Sequence, residues 1–160
     1  MNRYFTIFVM FCLSTAAACG ILGGERNAKR LVSRADAEQI MGAPMKFDQE
    51  KFAERQSSCF YVDADGESQL LVQVTLQEYP SEEETKKAHE LMRDVNRHYA
   101  RTEPVEGVGD AAWLEDGEYS QSIHVRRKNV AFLISVQGGE NNRQRLAALR
   151  GVAERVAARL

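Results

Sequence analysis

Apolar and polar residues alternate most regularly between residues 70 and 79. Leu70, Val72, Val74 and Leu76 fall on one face, and Leu71, Gln73, Thr75 and Gln77 on the other. A period of two over this length predicts a half-buried strand. Cys59-Phe60-Tyr61-Val62 predicts a strand before it, with residues 63–68 as the turn between them. Residues 110–115 predict a short strand holding the only tryptophan, Trp113, and residues 119–127 and 130–137 a hairpin about Lys128-Asn129. In that hairpin Ile123 and Val125 alternate with Ser122, His124 and Arg126, and Val130, Phe132, Ile134 and Val136 with Ala131, Leu133, Ser135 and Gln137. Three stretches change to the helical period. Residues 33–41 follow the N-cap Ser33 and end at Gly42-Ala43-Pro44; residues 82–99 follow Pro80 and the capping pair Ser81 and Glu84. This second helix aligns Ala88, Leu91, Met92, Val95 and Tyr99, while the last, from about residue 142, aligns Leu146, Leu149, Val152, Val156 and Leu160. Residues 45–58 and 102–109 show no period and predict irregular chain.

The order α-β-β-α-β-β-β-α, with short turns between neighbouring strands, predicts an α+β fold. Its sheet is mainly antiparallel, of about five strands, and two long helices both cover its apolar face. The opposite face, rich in Gln73, Thr75, Ser122, His124 and Arg126, is then left to water.

The first twenty residues change the picture. One cation, Arg3, precedes an apolar run over residues 4–13, and small residues lead to Cys19. This is the order of a bacterial export signal, and the run is too short to span a bilayer. Ala16-Ala17-Ala18-Cys19 resembles the lipobox of bacterial lipoproteins, whose cysteine is acylated and opens the mature chain. Ala16-Ala17-Ala18 also satisfies an ordinary A-x-A cleavage site. The lipobox resemblance implies a signal peptide over 1–18, a lipidated tether over 19–32 and a single globular domain over 33–160. It also implies a membrane-anchored address in the cell envelope. Gly20, beside the cysteine, lacks the acidic group that retains such proteins at the inner membrane, which favours the outer membrane.

Composition narrows the function. The chain carries 21 bases against 23 acids, a net charge of −2, with no basic stripe, so no nucleic-acid partner is expected. Of three cysteines, Cys12 leaves with the signal and Cys19 is consumed by lipid, so Cys59 is left alone; ordinary cleavage would instead let Cys19 and Cys59 pair. The Cys-Phe-Tyr strand start and the Gly-Val-Gly-Asp-Ala-Ala loop are similar to those of a family of small bacterial lipoproteins of unknown function. That resemblance transfers no activity. At fold level the order also resembles the α/β/α sandwiches of photosystem accessory proteins.

Sites of chemistry are few. Gly107-Val108-Gly109 precedes a strand rather than a helix, so it is a turn and not a dinucleotide loop. Asp63-Ala64-Asp65-Gly66 lacks the later ligands of a calcium loop. Asp94 and His98, one helical turn apart, are two groups where a closed metal site needs more. No metal or cofactor is expected. Cys59 with His124 is the one conceivable nucleophile–base pair, but the apolar run after Cys59 predicts a buried thiol. The expectation is a lipid-anchored, non-enzymatic envelope domain that binds a protein partner or a small polar ligand. Its candidate binding face holds His124, Arg126, Gln73 and Thr75. A thiol-dependent enzyme using Cys59 and a structural spacer are the alternatives.

Overall fold

The computed structural model describes residues 27–66, 69–139 and 143–160. In chain order the elements are α1 (Ala28–Leu31), α2 (Arg34–Met41), β1 (Met45–Ala53), β2 (Gln56–Asp63) and β3 (Leu71–Glu78). They continue with α3 (Glu82–Asn96), β4 (Arg101–Val105), β5 (Ala111–Asp116), β6 (Ser120–Arg127), β7 (Val130–Gln137) and α4 (Arg143–Ala157). The helix starts follow their sequence signals. Ser33 and Asp36 form a full capping box on α2, Gly42 ends that helix at φ 68°, and the Ser81 hydroxyl accepts from the Glu84 N–H at the start of α3.

All seven strands join one antiparallel sheet in the order β1-β2-β3-β7-β6-β5-β4. Cys59, Val74, Ile134 and Ile123 face one another across its four middle strands, and each is fully buried. Around this row lie Tyr61, Val72, Leu76, Val125, Phe132 and Val136, all joined in one core with Leu149, Val152 and Val156 of α4. The short helices complete that layer. The Ala28 N–H donates to Ser57 Oγ at 3.0 Å and the Tyr61 hydroxyl donates to the Val32 carbonyl at 2.6 Å, which fastens α1 across β2. Arg155 of α4 reaches Asp36 of α2 at 2.7 Å.

The architecture departs from expectation in four places. The sheet has seven strands rather than about five. β1 escaped the pattern because of a bulge between Phe47 and Gln49: Phe47 pairs with Tyr61 and Phe52 with Ser57, so both rings lie on the same face. Five residues apart, they could not share a face of a regular strand; the extra residue resets the phase. β4 escaped it because RTEPV is polar and holds Pro104, which a sheet admits at its edge. Residues 28–31, expected in the tether, form α1, and Ala28, Leu31 and the following Val32 are buried in the core.

The fourth departure positions the candidate site. α3 does not share the apolar face with α4. His89 packs against Trp113, and Asn96 donates to Glu115, so α3 lies on the face that holds Trp113, Glu115, Ser122 and His124. Strand β6 is therefore buried on both sides, with Ile123 and Val125 toward α4, Ser122 and His124 toward α3.

The loop before β5 is held from the other side of the β6–β7 turn. Asp110 accepts from Arg127 at 2.7 Å and from the Lys128 N–H at 2.6 Å, with Arg126 at 3.7 Å, and Val108 is buried. Gly109 sits at φ 60°, where an added Cβ would stand 2.5 Å from the Arg126 carbonyl oxygen and 2.7 Å from a Val125 methyl. Gly109→Ala should therefore destabilise the domain by about 3 kcal/mol, through left-handed strain plus overpacking. Chemical denaturation checks this, and an unchanged midpoint would show that the loop yields freely.

Candidate functional site

A buried polar cluster lies under α3. Glu115 of β5 pairs in register with Ser122 of β6, so its carboxylate stands beside the side chains of Ser122 and His124. One oxygen, Oε2, is within reach of three donors: Asn96 Nδ2 at 2.8 Å, His124 Nε2 at 3.1 Å and Ser122 Oγ at 3.4 Å. The His124 ring stacks on Trp113 with centroids 3.5 Å apart and planes 10° from parallel, and the His89 ring is tilted against the same indole with centroids 6.1 Å apart. His124 is 4% exposed.

Burial alone would raise the Glu115 carboxyl, but the hydrogen bonds and charge from His124, with those from Asn96 and Ser122, outweigh it and hold the group below the usual range. Burial pushes the His124 imidazole down, and the Glu115 carboxylate offsets only part of that. Glu115 Oε2 and Ser122 Oγ thus both face the same His124 nitrogen, Nε2. His89 is pushed down to about 4, chiefly by burial, and its Nε2 has no hydrogen-bond partner.

Serine, histidine and glutamate together invite comparison with a nucleophile triad, and the geometry rejects it. A triad needs the hydroxyl on one ring nitrogen and the acid on the other. Here Ser122 Oγ, at 3.1 Å, and Glu115 approach the same nitrogen, Nε2. Ser122 and His124 are also both buried, with no room for a substrate. The cluster positions α3.

The four residues of the expected binding face separate into two groups. His124 is inside this cluster, closed off by α3, and Arg126 is half-buried beside Asp110. Gln73 and Thr75 lie on the same face of β3 but away from α3, half-buried, with Thr75 Oγ1 3.1 Å from Ser58 Oγ and accepting from Gln73 Nε2 at 3.2 Å. Cys19 lies outside the described residues. Cys59 is a free thiol, fully buried, and burial pushes it up to about 12. Asp94 and His98 meet through the Asp94 carbonyl, 2.8 Å from His98 Nδ1, and not as paired ligands. Among the described residues no three His, Cys, Asp or Glu side chains gather as a metal site, and no helix is long and apolar enough to cross a membrane.

Two features were not legible in the sequence. The first is a rotation of α3. It buries Thr85 and His89, while Leu91 (53% exposed), Met92, Val95 and Tyr99 (85%) face solvent. At roughly 100° per residue, Thr85, His89 and Asn96 form an arc about a quarter turn from the apolar stripe. The second is a cleft of about 470 Å³ between the β4–β5 edge and α4, lined by Arg101, Glu103, Leu114, Asp116, Arg143 and Arg150 among others. Its charges largely answer one another: Arg101 meets Glu103, and Arg150 meets Glu154 at 2.9 Å.

No protein-family model and no curated protein matches the sequence. Among solved structures the chain is similar to the extracellular domain of PknH from Mycobacterium tuberculosis. The TM-score is 0.56 at 10% identity, covering 80% of this chain and 93% of that one. The two share an α+β fold built on one sheet.

Cys59 should react with a thiol reagent only after unfolding, since the thiolate is the reactive form and burial suppresses it. Labelling in the native state at the rate of a free peptide cysteine would overturn this assignment.

Proposed function

We propose that this protein is a non-enzymatic domain of the bacterial envelope, anchored by lipid at Cys19, that docks a partner protein on the exposed flank of α3 and the adjoining polar sheet. The observation that carries the docking surface is the stripe of Leu91, Met92, Val95 and Tyr99. Leu91, Met92 and Val95 lie on the helix and Tyr99 three residues past its end, all left in water while the helix buries a histidine. Contiguous exposed apolar surface of this kind marks interaction sites. On the same sheet face, Gln73, Thr75 and Gln77 of β3 supply a half-buried polar surface.

The chemistry of the stripe suits protein rather than lipid. Methionine and tyrosine are enriched at protein interfaces. A helix that lies on a membrane carries lysine and arginine along its polar side, whereas Glu82–Asn96 holds five acids and three bases. Support for the envelope address comes from the signal-like N-terminus and from likeness to a domain that is itself extracellular. The burial of Cys59 and the shared nitrogen in the Ser122–His124–Glu115 cluster argue against the enzymatic alternative.

Two experiments test the two halves separately. Wild-type protein should fractionate with membranes and carry lipid mass, and Cys19→Ser should move it to the soluble fraction; a soluble wild-type chain starting at an unmodified Cys19 would overturn the anchor. For docking, crosslinking in intact cells should trap a partner through α3. The double change Leu91→Gln with Val95→Gln should remove that crosslink while altering stability by less than about 0.5 kcal/mol, as exposed positions do. A crosslink that survives the double change, or purified domain that floats with lipid vesicles through the stripe, would overturn the protein-docking assignment.

A further inference from the structure

The way α3 is held carries a consequence apart from what docks on it. Over fifteen residues the helix buries only Thr85 and His89, and its large apolar side chains point elsewhere. Among its attachments are the His89 ring against Trp113 and the Asn96 amide on Glu115, with Thr85 fully buried nearer the helix start. Little apolar burial holds it down, so the state of His89 weighs heavily in whether it stays.

We propose that α3 is an acid-released latch: neutral His89 seats the helix on Trp113, and a proton on His89 frees it from the sheet while the rest of the domain stays folded. The groups around His89 leave a second charge unmet. From β6 it faces His124 and the guanidinium of Arg126, and from its own helix Arg93, and a positive charge on any of them opposes one on His89. The backbone of His124 is the one neighbour that favours it. Glu115 is spoken for by Asn96, Ser122 and His124, and Asp110 lies against Arg126 and Arg127. The buried Nε2 would gain an N–H with nothing to accept it. His124 lies under the same helix and is also pushed down by burial, so uncovering it adds to release with the same sign; Glu115 stands in place to receive its charge, whereas the His89 Nε2 has no acceptor. His89 is therefore the trigger.

The sign follows from proton counts. Docked, His89 binds its proton only near pH 4; released, it recovers the ordinary value near 6.5. Between those values the released state holds the extra proton, so release is favoured as pH falls, and docking is fully restored above about 6.5. One such group shifts the docking equilibrium about twentyfold between pH 7 and pH 5.

Amide hydrogen exchange on the full folded domain, corrected for intrinsic rates, reads this directly. Protection of the Glu82–Asn96 amides should fall at least about twentyfold from pH 7 to pH 5 relative to those of α4. In His89→Gln and in His89→Phe, which keeps a ring on Trp113, the pH-dependent loss should shrink by that twentyfold factor, leaving only the share of His124. His98→Gln, on the exposed side of the helix end, should behave as wild type. The proposal is overturned if α3 and α4 lose protection together in the wild-type protein, or if either neutral His89 variant keeps the full wild-type loss.

Discussion

Burial of β6 on both faces is the constraint on which the arrangement rests. Its odd-numbered residues, Ile123 and Val125, belong to the core under α4, and an apolar strand needs nothing more there. Its even-numbered residues, Ser122 and His124, are equally covered, and buried polar groups are tolerated only when their hydrogen bonds are met. Glu115 meets them. It stands one strand away in register with Ser122, gathers the donors of β6, and gathers the Asn96 amide that fixes the end of α3. Without that carboxylate the Asn96 amide and the Ser122 hydroxyl would lose their acceptor under the helix, while His124 Nε2 would keep Ser122 Oγ, each unmet group costing about 1–3 kcal/mol. The second layer of helix therefore depends on one side chain.

The same satisfaction makes the cluster chemically quiet. A catalytic base needs an open acceptor near a substrate, whereas His124 is stacked face to face on Trp113 with Nε2 already turned to Ser122 and Glu115. Chemistry-bearing residue types in a small space thus serve cohesion here. What this domain offers to another molecule lies outside the cluster, on side chains that fold leaves without neighbours.

Much of the fold was legible from period alone. The alternation from Val72 to Leu76 and from Phe132 to Val136 assigned the central strands and their inner face, and the Leu149, Val152 and Val156 stripe assigned the buried side of α4. The edges were not, because a bulge breaks the phase of β1 and Pro104 with charged neighbours disguises β4. The seating of α3 was misread for a different reason. Its apolar stripe is the stronger signal, and period analysis assigns the stronger stripe to the core; the true contact runs through Thr85, His89 and Asn96, whose partners are polar and contributed by other strands. One clue was present: His124 stands on the predicted outer face, where a ring needs cover, and the structure pairs Trp113 with it in register. Gln73 and Thr75 were placed correctly on that face, while His124 was drawn under the helix and Arg126 to Asp110.

The two features that hid the edge strands also close the sheet. β1 is interrupted at Asp48 and studded with Lys46, Glu50 and Lys51, and β4 presents a proline that has no N–H to offer. Neither border of the described sheet gives an incoming strand a regular ladder of donors and acceptors. The docking proposed above would therefore run through side chains and not through backbone. Backbone recognition tolerates almost any sequence in an added strand, whereas a side-chain surface can be tuned or lost by single substitutions. On that proposal selectivity would fall on the helix flank and the outer sheet, where sequence can drift without disturbing the core beneath.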